Sequence, residues 1–232
     1  MKSMTKNPID YFVHFSVAMV GGFIGAYTLL EHHELFGNAQ TSNMIHIAIC
    51  IVGGSFVELG YRLLNLMMYF LGFACTVIFR RFTKWNLHIC SVGINLLTIV
   101  LLAYLPASLN DYLFLMPVFF AMAFQWNSFR GVGEYLSSTI FSTNNLRQFS
   151  TSLCEFFCDF DKKHLHKTGF YGLTLLSYHT GVVAAYFATL YFGLKGVYAG
   201  LGCILLSGIA VFLEYRNDKN VDNKNDYKID KK

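Results

Sequence analysis

The sequence predicts an all-α, polytopic membrane protein, and two observations carry this fold class. First, 54% of the 232 residues are hydrophobic and only 14% are charged, whereas a soluble domain carries about 25% charged residues. Second, residues 11–30, 86–110 and 168–194 contain no Asp, Glu, Lys or Arg. At about 1.5 Å per helical residue, each stretch is long enough to cross an apolar core of about 30 Å.

The first half of the membrane region, residues 11–105, follows a polar lead of residues 1–10. An apolar helix over residues 11–30 ends in a polar passage, and the cluster Thr41-Ser42-Asn43 predicts a helix start, because such side chains cap exposed N–H groups. The helix that follows is too short to span comfortably. Glu58 and Arg62 then form a helical i,i+4 pair. Spans over residues 61–79 and 87–105 complete this half.

The second half, residues 106–215, has a similar order. A helix over residues 112–129 leads into a passage rich in glycine and hydroxyl residues, and Thr143-Asn144-Asn145 forms a second cap cluster. A short amphipathic helix over residues 146–160 and spans over residues 170–191 and 197–215 follow. The tail, residues 216–232, is predicted to be disordered, because its Asn, Asp and Lys residues bury too little apolar surface.

At an offset of 102 residues the two halves align without a gap over about twenty-five positions, and this shared pattern predicts two structural repeats. If the short helices re-enter the membrane, the chain has six full spans plus two short broken helices, and the repeats are inverted. If they cross, the chain has eight spans and the repeats are parallel. The inverted arrangement is favoured, because it places Arg80, Arg81, Lys84 and the other basic loops with both termini in the cytoplasm.

The net charge and the cysteines indicate which kinds of partner to expect. A net charge of +4 gives no sign of nucleic-acid binding, and the six cysteines lie in or beside apolar segments, where free thiols are expected. No cofactor and no metal site are predicted. The expected partners are the lipid bilayer of the cell (inner) membrane and an unknown small solute, with a homo-oligomer left open.

Several segments resemble the YoaK family of bacterial membrane proteins. They are Gly22-Phe23-Ile24-Gly25-Ala26-Tyr27, Phe36-Gly37-Asn38-Ala39-Gln40-Thr41-Ser42-Asn43, Leu71-Gly72-Phe73-Ala74, Gln125-Trp126-Asn127-Ser128-Phe129-Arg130 and Thr143-Asn144-Asn145-Leu146. The resemblance covers nearly the whole chain apart from its tails. It implies a multi-span inner-membrane protein and a candidate small-molecule transporter, without a substrate. The chain departs from the family pattern at Gly25, where the family has an acidic residue, and at Ser42 and Asn144, where it has glycine.

The two polar passages are the predicted site, because polar side chains in hydrocarbon face the bundle interior or a wet cavity. Two helix starts aimed at one pocket suit an anionic solute, to which Arg130 adds a full charge. The alternative is that these groups only cap helices and satisfy the broken backbone. Helix ends could also bring carbonyl groups to a cation, so the sign of the solute's charge stays open. The predicted site residues are Asn38, Gln40, Thr41, Asn43, Gln125, Asn127, Arg130, Thr143 and Asn145.

Three functions of different classes fit the sequence. A small-solute transporter, with an organic anion as one class of solute, predicts a polar cavity between the passages. A non-transporting structural or interaction protein predicts tight packing without a void. A membrane-embedded enzyme is the third, but the nearest candidates, His32, His33 and Glu34, lack the spacing of a metal or nucleophilic site, so no catalytic residue and no enzyme activity are predicted.

Overall fold

The computed structural model describes residues 7–32, 35–38 and 40–229, with side chains described through residue 220. The described chain is mostly helical. Its α-helices are α1 (Pro8–Glu31), α2 (Thr41–Gly53), α3 (Phe56–Phe82), α4 (Leu87–Tyr104), α5 (Asp111–Phe114), α6 (Met116–Ser128), α7 (Thr143–Asp159), α8 (Lys162–Phe192) and α9 (Gly200–Ile229). A 3₁₀ helix, Gly193–Ala199, joins α8 to α9.

Within the described residues, four stretches are long and apolar enough to cross a membrane. They are Pro8–Glu31, Phe56–Phe82, Leu87–Tyr104 and Lys162–Asn220, the last of which contains α8, the 3₁₀ helix and most of α9. Helix α2, with 13 residues, is apolar but shorter. The chain therefore has the helices of a membrane protein, as the sequence predicts.

Helices α1 and α6 form the centre of the bundle. Helix α1 packs between α8 and α9, and α6 packs between α3 and α4. The short helices α2 and α7 each pack on the helix that follows them, α3 and α8, while α4 contacts α9. Helix α1 thus packs on α8 and α9 from the second half of the chain, and α6 packs on α3 and α4 from the first half. Each pair consists of the last two long helices of its half.

Glycines allow the closest of these helix contacts. A Cβ on Gly72 of α3 would lie 2.5 Å from the Phe120 carbonyl oxygen of α6. A Cβ on Gly181 of α8 would collide with the Met19 carbonyl oxygen of α1. Only a residue without a Cβ lets the backbones approach this far, so the two contacts fix equivalent helix pairs in the two halves.

Polar contacts define the two ends of the bundle. At one end, called the Glu58 end, the His32 ring nitrogen Nδ1 lies 2.8 Å from an Asp111 carboxylate oxygen, and the Tyr112 hydroxyl donates to Glu58 over 3.0 Å. These contacts join the C-terminal end of α1 to the N-terminal ends of α5 and α3. At the other end, called the Glu214 end, His88 Nδ1 lies 2.6 Å from a Glu214 carboxylate oxygen, which joins the start of α4 to α9.

The passage after α1 turns back into the bundle. Asn38 donates from Nδ2 to the carbonyl oxygen of Gly21, halfway along α1, over 2.7 Å. The hydroxyl of Tyr69, near the middle of α3, donates to the Asn38 carbonyl oxygen over 3.0 Å. Helix α2 therefore begins inside the bundle, and Gly54, with a φ of 76°, turns the chain into α3.

The passage after α6 also runs inward. Gln125 donates from Nε2 to the hydroxyl of Thr139 over 3.2 Å, and a Cβ on Gly21 would meet the Thr139 carbonyl oxygen. Helix α7 follows and ends at Phe160, which has a φ of 55° and leads into α8. Both passages therefore contact the middle of α1, the first through Asn38 and the second through Thr139.

Three details differ from the sequence predictions. The clusters at residues 41–43 and 143–145 form the first turns of α2 and α7, whereas the capping positions are Gln40 and Ser142, neither of which makes a side-chain cap bond. A short hairpin, β1 (Gly131–Val132) with β2 (Tyr135–Leu136), interrupts the all-α architecture. Its two-residue turn begins at Gly133, with a φ of 59°, as tight hairpins require. The span predicted over residues 197–215 begins within the 3₁₀ helix, and α9 itself starts at Gly200.

Candidate functional site

A polar cavity of about 520 Å³ opens near the Glu58 end, between the first passage, α2, α3 and α5. Its volume lies within the range of small-molecule sites. We call it the Arg62 cavity. Its lining consists of Leu35, Phe36, Ser42, Asn43, His46, Arg62, Asn65, Asn110, Asp111, Tyr112 and Phe119.

Arg62 is the buried charge of this cavity, with 6% of its surface exposed. Its Nε and Nη2 atoms donate to the same oxygen of Glu58, over 2.8 and 2.7 Å. The guanidinium carbon lies 5.0 Å from the centre of the Tyr112 ring, a cation–π distance. The i,i+4 pair predicted from the sequence therefore places a guanidinium inside the protein, with its carboxylate partner nearer the surface.

Amide side chains surround the arginine. Asn43 donates from Nδ2 to Gln40 over 2.7 Å and to the Arg62 carbonyl oxygen over 3.1 Å. Asn65, one turn further along α3, is 1% exposed, and neither its amide nitrogen nor its amide oxygen has a hydrogen-bond partner among the described residues. Since an unpaired buried amide is costly, Asn65 is an unused pair of donor and acceptor groups beside the cavity.

A second cavity, of about 410 Å³, lies at the opposite end of α3, between α3, α6 and the second passage. We call it the Arg130 cavity. Its lining consists of Phe73, Trp126, Asn127, Arg130, Leu136, Ser137, Ser138, Phe141 and Asn144. Arg130 is exposed here and donates from Nε to the Asn127 amide oxygen over 3.2 Å, so its position depends on a neighbouring cavity residue.

The buried side chain of Asn145 forms hydrogen bonds to residues of the second passage. Its amide oxygen accepts from the Ser137 hydroxyl over 2.9 Å, and its amide nitrogen donates to the Ser138 carbonyl oxygen over 2.7 Å. The Ser137 hydroxyl also lies 3.0 Å from Nε2 of the buried His14 on α1. Asn145 therefore satisfies the broken backbone, as the capping alternative expects.

The two passages meet directly between the cavities. Asn38 donates from Nδ2 to the Ile140 carbonyl oxygen over 2.6 Å, which links the first passage to the second. Gln125 accepts from Asn95 over 2.6 Å and donates to the Val17 carbonyl oxygen over 3.2 Å. Both amides are fully buried, so they join helices and passages and do not line a cavity.

Aromatic side chains follow Asn65 along α3, and Phe73, Trp126 and Phe141 line the Arg130 cavity. Asn65, Tyr69 and Phe73 follow at intervals of four residues, so they lie along one face of α3. The Phe73 and Trp126 rings lie 5.6 Å apart, and the Trp126 and Phe141 rings 4.8 Å apart. We call Tyr69, Phe73, Trp126 and Phe141 the aromatic layer. Asn65 lines one cavity and Phe73 the other, and at 1.5 Å per residue their Cα atoms are about 12 Å apart along α3.

The structure divides the predicted site residues into three groups. The first group belongs to the cavities: Asn43 lines the Arg62 cavity and donates a hydrogen bond to Gln40, and Asn127 and Arg130 line the Arg130 cavity. The buried amides Asn38, Gln125 and Asn145 hold the passages. Thr41 and Thr143 are exposed at the starts of α2 and α7.

Sequence reasoning missed two residues of the Arg62 cavity. Arg62 was recognised only as half of a helical ion pair, and Asn65 was not recognised at all. The signal that could have found both is a polar residue inside an apolar span, which usually faces the bundle interior.

Of the three residues considered for an enzyme site, only His32 lies in the described part of the chain. His32 contacts Asp111, while His33 and Glu34 lie outside the described residues. Among the residues described, no group of three or more His, Cys, Asp or Glu could hold a metal ion. The six cysteines are free thiols, as predicted.

Comparison with known proteins gives one match. The model of the family described as "Protein of unknown function (DUF1275)" matches residues 13–212. That range begins within α1 and ends within α9, so it includes both cavities. No curated protein and no solved structure matches the chain.

Proposed function

The chain belongs to the DUF1275 family, whose description assigns no activity, and we propose that it transports a small solute across the membrane along the seam between α3 and α6. The observation that carries this proposal is a pair of cavities along one face of α3, of which the Arg62 cavity is polar and the Arg130 cavity is mostly apolar. Each cavity is lined by one of the two passages and by one arginine, and the aromatic layer separates them.

The proposed topology has six crossing helices and two re-entrant passages, arranged as inverted repeats. Two observations support it. Helices α1 and α6 each pack between two helices of the other half, and Gly181 and Gly72 allow the close contacts of α8 with α1 and of α3 with α6. The six crossings are α1, α3, α4, α5 with α6, α8 and α9. In the eight-span alternative, α2 and α7 would cross, but each begins in the middle of the bundle.

The distribution of basic residues orients the protein. In sequence, the connections at the Glu58 end carry one Lys or Arg, Lys195. The connections and helix ends at the Glu214 end carry Arg80, Arg81, Lys84, Arg130, Lys162, Lys163 and Lys167. Under the positive-inside rule the Glu214 end is cytoplasmic, together with both termini. The Arg62 cavity then opens to the outside of the cell membrane and the Arg130 cavity to the cytoplasm.

In the proposed transport step, a solute that entered through one cavity leaves through the other. A solute bound in one cavity has to pass the aromatic layer, whose rings pack where Gly72 brings α3 against α6. Inverted repeats generate such an exchange when one half rocks against the other around a fixed site. The resemblance to the YoaK family points in the same direction, as does the membrane location of the helices.

The alternative function, a structural or interaction protein, is favoured by the packed contact between Asn38 and Ile140. The two functions differ in what the aromatic layer does. In a transporter it is the barrier to solute flow, whereas in a structural protein the cavities are unconnected surface clefts.

A leak assay tests the proposal without knowledge of the substrate. Trp126→Ala removes a ring that contacts both Phe73 and Phe141, so we expect it to connect the cavities and admit small solutes. Proteoliposomes containing the variant should swell in osmotic gradients of glycerol, acetate or glycine faster than those containing the unmodified protein. Trp85→Ala is the control, because Trp85 is 64% exposed and lies outside the layer.

Permeability equal to that of the unmodified protein, in a Trp126→Ala variant that elutes as a folded species, would contradict the transport proposal. A leak of the same size in Trp85→Ala would also contradict it, because the flow would then come from general loosening of the bundle.

A further inference from the structure

Two residues that line the Arg62 cavity, Arg62 and Tyr112, bind a carboxylate of the protein itself, that of Glu58. Arg62 Nε, Arg62 Nη2 and the Tyr112 hydroxyl all donate to one oxygen of Glu58, over 2.8, 2.7 and 3.0 Å. Two of these three donors belong to a guanidinium, whose hydrogen bonds to a carboxylate are charge-assisted and therefore strong.

Burial divides this cluster into a fixed and a movable part. The Arg62 side chain is 7% exposed, whereas that of Glu58 is 38% exposed. Arg62 is further held by the Tyr112 ring, and its Nη1 atom lies 3.4 Å from the amide oxygen of Asn43. A rotation of Glu58 towards water would therefore leave the donors in place, and a second carboxylate could bind them.

We propose that the Arg62 cavity binds a small organic carboxylate, which displaces Glu58 from Arg62 and Tyr112. Glu58 acts as an internal competitor that occupies the position when no solute is bound. This inference rests on the proposed transport function, because it assigns a substrate class to the outer cavity.

Asn65 is an independent observation that points to the same ligand. The residue lines the cavity and is 1% exposed, and its covered amide nitrogen and oxygen have no hydrogen-bond partner among the described residues. Groups of this kind are normally paired. A ligand whose carboxylate lies on Arg62 can bring its own polar groups to Asn65, one helical turn further into the bundle.

The test measures ligand binding by the purified full-length protein in detergent. Thermal unfolding is followed against increasing acetate and succinate, with acetamide and succinamide as neutral analogues and inorganic phosphate as a second anion. We expect the carboxylates to raise the midpoint and the amides to leave it unchanged, because only a charged acceptor can replace Glu58 on Arg62.

The variants separate a binding site from a structural ion pair. Glu58→Gln removes the competitor, whose tether gives it a high effective concentration, so we expect acetate to bind about tenfold more tightly. Arg62→Lys loses the two-pronged contact and is expected to bind at least about tenfold more weakly. Glu155→Gln is the matched control, because Glu155 pairs with His164 over 3.0 Å between α7 and α8, away from the lining of this cavity.

Weaker or unchanged carboxylate binding in Glu58→Gln would overturn the inference, because a structural ion pair gives that result. A midpoint shift with phosphate and none with acetate or succinate would overturn the assigned ligand class. If Arg62→Lys fails to fold, the gain in Glu58→Gln still decides the question.

The transport proposal and this inference fail separately. Carboxylate binding with the expected variant pattern, but no leak in Trp126→Ala, would remove transport and leave the binding site. A leak without carboxylate binding would leave transport and remove the assigned substrate class.

Discussion

Replacing Asn65 by leucine, a side chain of similar size, should stabilise the protein while it weakens solute binding. Asn65 has no hydrogen bond to lose among the described residues, and its burial in an unpaired state costs about 1–3 kcal/mol. A leucine of similar volume removes that cost and adds apolar contacts. We expect the free energy of unfolding of Asn65→Leu to rise by about 1–2 kcal/mol.

Asn145→Leu is the matched control, because Asn145 is equally buried, with 1% exposed, but fully paired. Its amide oxygen accepts from the Ser137 hydroxyl and from the Ser138 N–H, and its amide nitrogen donates to the Ser138 carbonyl oxygen. Leucine there leaves several buried polar groups unpaired, at about 1–3 kcal/mol each. We expect a clear loss of stability.

The assay for both variants is thermal or denaturant unfolding in detergent, followed by circular dichroism, together with acetate binding. A stability loss in Asn65→Leu comparable to that of Asn145→Leu would refute the reasoning, because it would show that Asn65 has a structural partner. If Asn65→Leu binds acetate as tightly as the unmodified protein does, Asn65 is not part of the binding site.

Two further predictions concern the helix contacts that relate the halves. Gly72→Ala should destabilise the protein by about 1–3 kcal/mol, because the new methyl group meets the backbone of Phe120, whereas Gly60→Ala on the same helix meets open space and should stabilise it by about 0.5–1 kcal/mol. On α8, Gly181→Ala and Gly169→Ala should show the same contrast for the same reason. Unfolding midpoints measure all four variants, and equal effects within either pair would contradict the close-packing account.

The sequence predicts the helices well, because their signals are local. Long uncharged stretches define α1, α4 and α8, and the short helices α2 and α7 begin at the predicted Thr-containing clusters. The predicted capping role of those clusters was wrong, since the side chain of Asn43 bonds to Gln40 and to the backbone of α3. A cap motif specifies where a helix starts, but tertiary partners decide what its side chains bind.

The site could be predicted only in part, because its geometry depends on contacts between distant segments. The sequence identifies the two passages, and it suggests that they meet in one shared pocket. In the structure the passages touch through Asn38 and Ile140, and each passage lines its own cavity, of which only the Arg62 cavity is mainly polar. The burial of Arg62 depends on Tyr112, 50 residues away in the chain, and no local pattern reveals it.

The short β-hairpin was missed for a related reason. Its strands contain two residues each, and the surrounding glycine- and hydroxyl-rich segment is equally typical of a loop. The hairpin follows Arg130, and its second strand reaches the Arg130 cavity at Leu136.

The most direct test of the account is the side of the membrane from which each cavity can be reached. Single cysteines at Ser42, in the Arg62 cavity, and at Asn144, in the Arg130 cavity, would be introduced after the six native cysteines are replaced. A membrane-impermeant maleimide should label the Ser42→Cys variant in intact cells and the Asn144→Cys variant only in inside-out vesicles. Labelling of both variants from the same side would contradict the account, because the two cavities could not then be the opposite ends of one pathway.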